Sequence, residues 1–390
     1  LKVLVIPSWY PYHAKPTAGK FFYEQALALA ENGIADITIL NWGQNEFQLQ
    51  IRHPVQSMGR LIKLCTAKAG SKQITPSFKE LLIPHLSFSS HIRKGNIDAL
   101  VNMIALQDKP DLIHAHVSFP AGYLAWKLSD ISGIPFIITE HSGPFPFLEF
   151  VNKRGISPLI SQPLQAANKV LAVSSFLKKE LMYKANVKAD IVPNLVDTEY
   201  YKPTITPKNK SFRLFALSSL TEAKGALDLL EAVKLLNETG LDFCMYWGGD
   251  GYLKSRLHNF VQQYKLKSKV VFLGQLSSKE ALHQYQSCDC FVMPSHVESF
   301  SVVLIEALAC GKPVISTDCG GPSDIVNKWN GTLVPIRSPR LLAEAMMHMS
   351  QHSNEYSQEH IRTYCQEHYS PKVVCRQIKD AYNSVLNPEL

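Results

Sequence analysis

The chain has 390 residues, 46% of them hydrophobic and 19% charged, with a formal net charge of +7; that length and balance suit a soluble globular protein of two domains. No run approaches the roughly 18 apolar residues of a membrane-spanning helix, and the apolar start Lys2–Pro7 is too short for a signal peptide. Eight cysteines without a Cys-x2-Cys pair point to reduced thiols in a cytoplasmic protein and away from a disulfide framework or a zinc site.

Lys2 to Pro7 reads as a buried strand. A long loop follows, Ser-Trp-Tyr-Pro-Tyr-His-Ala-Lys-Pro-Thr-Ala-Gly, and long strand-to-helix loops tend to be functional. Gly19 closes it just before a helix from Lys20 to Asn32, with Phe22, Ala26, Leu29 and Ala30 at helical spacing. A glycine there lets backbone approach a ligand closely. Trp9, Tyr10 and Tyr12 either serve that site or pack the loop. The absence of Gly-x-Gly-x-x-Gly argues against dinucleotide binding. Ile37 to Asn41 is a second strand.

Residues 52–95 then hold Arg52, Arg60, Lys63, Lys68, Lys72, Lys79, Arg93 and Lys94 against one acid, Glu80. The whole net charge of the chain lies in this window. Interleaved apolar residues (Leu61, Ile62, Leu64, Phe78, Leu81, Leu82, Ile83) make it a candidate for docking to an anionic membrane surface. A solvated helix face is the alternative.

Strands are expected at Asp111–Val117 and Pro135–His141, delivering His114, His116 and His141 to the carboxyl edge, where open α/β sheets bind ligands. Alternation along the strand is expected to keep His114 and His116 from sharing a metal ion. Gly143-Pro-Phe-Pro-Phe-Leu-Glu-Phe is either an aromatic lip for an acceptor or a buried loop. Lys169–Ser174 and Asp190–Pro193 complete a first domain over residues 1–194, and residues 195–211 read as a linker.

A second domain, residues 212–371, opens with a strand at Arg213–Ser218 and continues through Lys224-Gly225. Asp242–Trp247 ends in the turn Gly248-Gly-Asp-Gly251, and Val270–Leu273 leads into Gly274-Gln-Leu276. The most informative stretch is Met293 to Val326: a strand (Cys290–Met293), a turn, a helix, a break at Gly311 and a strand (Pro313–Thr317). Apolar runs separated by short helices mark a parallel sheet. Glu298 and Glu306 stand eight residues apart. Over that spacing a helix rises about 12 Å and completes a little more than two turns, so both carboxylates can face one side. The amides of Ser299, Phe300, Ser301 and Val302 would form the helix mouth, which suits a pyrophosphate. Lys372 to Leu386 is a last amphipathic helix.

The run Glu-Ser-Phe-Ser-Val-Val-Leu-Ile-Glu-Ala-Leu-Ala-Cys-Gly-Lys-Pro-Val-Ile resembles the Glu-x7-Glu motif of retaining glycosyltransferase family 4. That resemblance implies the α/β GT-B fold: two doubly wound, Rossmann-like domains facing across a cleft, with the final helix (372–390) joined to the first domain. It implies Glu298 beside the donor sugar, Glu306 on the nucleotide ribose, and Lys224 on the donor pyrophosphate. The loop at Gly274-Gln-Leu276 would read the base. His116 would be catalytic, facing the sugars, with His141 on the acceptor side and His114 structural. Ser-Trp-Tyr-Pro with Gly19-Lys-Phe-Phe is similar to a branch active in bacterial surface-polysaccharide synthesis, and places Gly19 at the donor. Two departures stand out. Ser219 occupies the place of an arginine, giving one neutral hydrogen bond in place of a charged fork, and Ser301 replaces a glycine.

The implied activity is transfer of a sugar, with retention, from a nucleotide diphosphate sugar to a saccharide or lipid-linked saccharide. No metal, cofactor or nucleic acid is expected. The site of action would be the cytoplasm, peripheral at the inner face of the cytoplasmic membrane. A nucleotide-sugar epimerase and a non-catalytic nucleotide-sugar-binding protein are the alternatives.

Overall fold

The computed structural model describes residues 1–11, 17–44, 46–47, 54–85, 100–101, 104, 109–153, 155–205 and 210–387. The chain divides into two compact units, Leu1–Leu195 with Pro371–Leu390, and Val196–Ser370. The expected linker, as far as it is described, belongs to the second unit except for Leu195, which ends the first stretch of the first unit. Both expected units are α/β and each is built on one mainly parallel sheet.

In the first unit, β1 (Lys2–Pro7), β2 (Asp36–Asn41), β3 (Gly70–Thr75), β4 (Phe78–Leu82), β5 (Leu112–His116), β6 (Phe136–Glu140), β9 (Lys169–Ala172) and β10 (Asp190–Ile191) make a sheet ordered β10-β9-β6-β5-β1-β2-β4-β3. A separate two-stranded hairpin, β7 (Val151–Asn152) with β8 (Gly155–Ile156), interrupts the numbering. All pairings in the large sheet are parallel except β3 against β4. Every residue of β5 and β6 is buried, as central strands covered on both faces must be. Strand order reverses at β1, which pairs with β2 on one side and β5 on the other. Pro7 lies opposite His116 there. Helix α1 (Lys20–Glu31) packs Ala26, Ala28 and Leu29 into the core. Helix α12 (Pro371–Leu386), the last in the chain, adds Val374, Cys375, Ile378 and Tyr382 to the same core. Burying Val374 and Ile378 contributes roughly 1.5–3 kcal/mol each, which explains why the C-terminal helix belongs to the first unit.

The second unit carries β11 (Phe212–Leu217), β12 (Phe243–Gly248), β13 (Val270–Gly274), β14 (Cys290–Met293), β15 (Val314–Thr317) and β16 (Gly331–Val334), ordered β13-β12-β11-β14-β15-β16 and all parallel. Here the order reverses at β11, between β12 and β14. Helices α6 (Ala226–Glu238) and α9 (Val302–Ala309) leave the loops after β11 and β14. In open parallel sheets the crevice beyond the carboxyl ends at such a reversal is the place for a ligand.

The basic window resolves into helix α2 (Pro54–Thr66) and the β3–β4 hairpin. Arg52, Arg93 and Lys94 lie outside the described residues. Phe78 and Ile83 are core residues, so the amphipathic reading of those two does not hold: their apolar side chains serve the sheet. Helix α2 differs. None of its residues is buried, and Val55, Met58 and Ile62 are 85%, 60% and 62% exposed.

Candidate active site

Lys224 and Glu298 reach one another from the two loops at the β11 reversal. Gly225, left-handed at φ 65°, ends the short turn after β11 and opens α6. A Cβ on Gly225 would sit 1.8 Å from the Pro294 carbonyl, so only glycine lets the two loops touch. Across that contact Lys224 Nζ meets Glu298 Oε1 at 2.7 Å, and Ser295 Oγ donates to the same oxygen at 2.7 Å. The backbone of Glu298 is fixed as well: its N–H donates to Cys319 O and its carbonyl accepts from Gly321 N. A Cβ on Gly321 would lie 2.3 Å from Ser299 O. Burial pushes the Cys319 thiol up to about 11, so it is a neutral neighbour of the pair.

The helix mouth is shifted from its expected place. Helix α9 begins at Val302 with Ser301 as its cap, so Ser299 and Phe300 lie in the turn, and Glu298 precedes the helix. The two glutamates therefore do not share a helix face. The N–H groups without helical partners are those of the first turn from Val302, and they, with the helix dipole, favour an anion. Ser301 has φ 109° and ψ 90°, a conformation suited to glycine; its hydroxyl donates to Met293 Sδ at 2.8 Å. Phe300 is core. Glu306, half-buried on α9, accepts at 2.8 Å from the hydroxyl of Tyr285 on α8 (Ser278–Ser287). Tyr285 titrates well above its ordinary range, first through burial and then through Glu306. Ser219 is exposed beside this turn, and Leu276 packs where a Cβ on Gly248 would meet its Cδ1 at 2.7 Å.

In the first unit, the reversal at β1 gathers the histidines. His114 is closed off: Nδ1 meets Tyr382 OH at 2.8 Å and Nε2 meets Thr139 Oγ1 at 2.8 Å. His116 Nδ1 meets His141 Nε2 at 3.0 Å. The expectation that β5 holds His114 and His116 apart is wrong, because residues two apart on a strand share a face; the rings are 4.4 Å apart. Among the described residues, no group of three or more His, Cys, Asp and Glu side chains is arranged to hold a metal ion. Burial lowers all three imidazoles, His114 and His141 to about 3 and His116 well below its usual value, with neighbouring histidines adding to the effect on His116 and His141. The cluster is therefore neutral at pH 7. Buried Glu140 sets the turn carrying His141, accepting from the backbone N–H groups of Ser118, His141 and Ser142 and from Ser142 Oγ.

Phe22 stacks on His116 at 4.9 Å, and Trp9 stacks on Phe22 at 5.7 Å. Gly19 has φ 67°, and a Cβ there would come within 2.4 Å of Trp9 O, which is why this loop can fold back over α1. Tyr10 is core, and Tyr12 lies outside the described residues. In the Pro-rich loop Phe145 and Phe150 are buried, while Leu148 is 82% exposed.

Two family profiles match the chain: "Glycosyl transferases group 1" over residues 197–366 and "Glycosyltransferase Family 4" over residues 72–200. Among related sequences, an uncharacterised glycosyltransferase of Methanocaldococcus jannaschii is 30% identical over 240 residues, 61% of this chain and 65% of the relative. TuaC of Bacillus subtilis, assigned provisionally to teichuronic acid biosynthesis, is 27% identical over 369 residues, 89% of this chain and 88% of its own. Among solved structures, HepE of Anabaena in complex with UDP shares the fold at TM-score 0.69 and 17% identity, over 98% of this chain and 100% of its own. This chain belongs to the glycosyltransferases, and its fold is GT-B.

In this glycosyltransferase the sequence alone singled out Lys224, Glu298, Glu306, His116 and His141; the structure pairs Lys224 with Glu298 and His116 with His141, each within one unit, and Glu306 with Tyr285. Ser295, His296, Asp228, Tyr285, Thr139 and Tyr382 went unnoticed. All but Ser295, which lies close to Glu298 in the chain, contact a residue far away, and no local pattern announces such a contact.

Proposed function

We propose that this glycosyltransferase is a retaining enzyme that moves a sugar from a nucleotide diphosphate sugar to a hydroxyl of a saccharide or lipid-linked saccharide, in the synthesis of a bacterial surface polysaccharide. The contact of Lys224 with Glu298 before the N-terminus of α9 carries the reading. Lys224 and the first-turn amides of α9 take the negative charge that develops on the leaving diphosphate, fixed dipoles acting strongly in a water-poor site. Glu298 holds the sugar hydroxyls, and Glu306 holds the ribose. The bond from the anomeric carbon to the diphosphate oxygen breaks, and the acceptor oxygen bonds to the same face of that carbon. The acceptor proton passes to the departing diphosphate oxygen. Neutral His116, oriented by His141, offers a ring nitrogen to sugar or acceptor. With Lys224 and helix amides in these roles the reaction requires no resident metal or cofactor. TuaC's assignment and the UDP bound by HepE support the substrate classes.

The lipid-linked acceptor is supported by α2, which exposes Val55, Met58 and Ile62 beside Arg60 and Lys63. Such a helix suits the headgroup region of an anionic membrane, where each base adds about 1 kcal/mol. The enzyme then works in the cytoplasm, at the inner face of the cytoplasmic membrane.

Turnover of a panel of nucleotide sugars, with and without saccharide acceptors, tests the transfer. Donor consumption should require an acceptor, and Glu298→Gln should abolish it while leaving the fold intact. Full activity in Glu298→Gln, or turnover independent of acceptor, would overturn the reading. Vesicle co-sedimentation tests the membrane: binding should need anionic lipid and weaken in salt, and be lost when Lys63, Lys68 and Lys72 become Glu. Equal binding to neutral vesicles refutes that part alone.

A further inference from the structure

Beside the Lys224–Glu298 pair stands a second polar contact that the transfer reading does not use. His296, in the loop after β14, meets Asp228 on α6 with Nε2 to Oδ2 at 2.7 Å, and its backbone N–H donates to Ala223 O at 2.9 Å. Both side chains are mostly buried, 18% and 23% exposed. The two loops thus meet four times: Gly225 against Pro294, Ala223 with the His296 backbone, Asp228 with its ring, and Lys224 with Glu298.

These contacts are not equivalent. Lys224 and Glu298 carry opposite charges that different parts of a donor would compete for, and an incoming diphosphate draws Lys224 toward itself. If that ion pair were the main polar tie between the two loops, ligand entry would loosen the Glu298 loop from the Lys224 turn. The ring of His296 and the carboxylate of Asp228 touch neither group. Their bond can persist while Lys224 moves.

We infer that His296 and Asp228 form a latch, a positioning pair that holds the Glu298 loop against the Lys224 turn while Lys224 exchanges Glu298 for a diphosphate. The donor role of the loop rests on the reading above; the latch itself does not. It requires a donor at the place of His296 Nε2. Glutamine can supply that and asparagine, too short, cannot.

Hydrogen exchange of the full chain, without nucleotide, tests the latch directly. Peptides covering residues 294–300 should exchange about tenfold faster in His296→Ala and Asp228→Ala, the loss of one buried polar bond. The double variant should go little further, since the two groups act through one bond. His296→Gln should restore slow exchange and His296→Asn should not. UDP, as the probe, should bind several-fold more weakly to His296→Ala and near-normally to His296→Gln, by isothermal titration. Unchanged exchange in His296→Ala, equal behaviour of Gln and Asn, or additive effects of the two alanines would overturn the latch. So would loss of slow exchange with UDP affinity intact. If exchange responds as expected and UDP binds none of the forms, the latch stands and the donor reading of this loop falls.

Discussion

Replacing Ser301 by glycine should stabilise this protein, and replacing it by alanine should do the reverse. Ser301 holds φ 109° and ψ 90° at the cap of α9, and only 8% of its surface is exposed. A side chain in such a conformation costs on the order of 1–3 kcal/mol. Glycine removes that strain but gives back about 0.5–1 kcal/mol through its freer unfolded chain. It also loses the hydroxyl bond to Met293 Sδ, a weak acceptor worth about 0.5 kcal/mol at the low end of ordinary hydrogen bonds. At the middle of these ranges the net gain for Ser301→Gly is about 0.75 kcal/mol. Alanine keeps the strain and loses the hydroxyl, a net loss of about 0.5 kcal/mol. For a unit of this size 1 kcal/mol moves the melting temperature by about 2–4 °C, so thermal melting and urea titration resolve the opposite signs. Shifts of the same sign for both variants would refute the strain account: the freer unfolded chain works against glycine, so only relief of strain can raise glycine above alanine.

Lys224→Ala should weaken binding of a nucleoside diphosphate about 10- to 150-fold, the range of a charge-assisted hydrogen bond worth roughly 1.5–3 kcal/mol. Ser219, in the usual place of an arginine, supplies no charge to compensate. Calorimetric titration checks this, and an unchanged affinity would assign the pyrophosphate to another base. Glu306→Ala should weaken nucleotide binding while preserving transfer at saturating donor, read as a raised KM with little change in kcat. The buried histidines make stability depend on pH. His114 and His141 are lowered to about 3 and His116 is lowered too, so between about pH 6.5 and 3 the unfolded chain binds more protons than the folded one. Their contribution is complete above pH 6.5 and is lost as pH falls, by up to about 1.4 kcal/mol per pH unit for each histidine. Urea midpoints should therefore drop from pH 7 to pH 5, and a profile no steeper than that of His114→Phe, which keeps His116 and His141, would refute neutral burial of His114.

What the sequence determined by itself was whatever repeats or is written locally. The apolar runs Lys2–Pro7 and Cys290–Met293 announce buried strands, and Lys224-Gly225 and the Glu298 to Glu306 spacing mark the loops that carry charge. Gly19 announces a turn that no other residue fits, and the structure shows the Trp9 carbonyl occupying the space of its missing Cβ. Local pattern also misled. The spacing of Glu298 and Glu306 suggested one helix face, but the helix starts only at Val302. The apolar residues in the basic window looked like one amphipathic stretch, yet Phe78 and Ile83 are drawn into the core and α2 alone keeps its apolar face outside. Only the tertiary structure decided which side chains meet. Lys224 and Glu298 are 74 residues apart, His296 and Asp228 68, and His114 and Tyr382 268. The first two follow from the order of strands in a sheet, because parallel pairing brings the carboxyl ends of β11 and β14 side by side whatever the length of chain between them; the third follows from the packing of α12 on the core of the first unit.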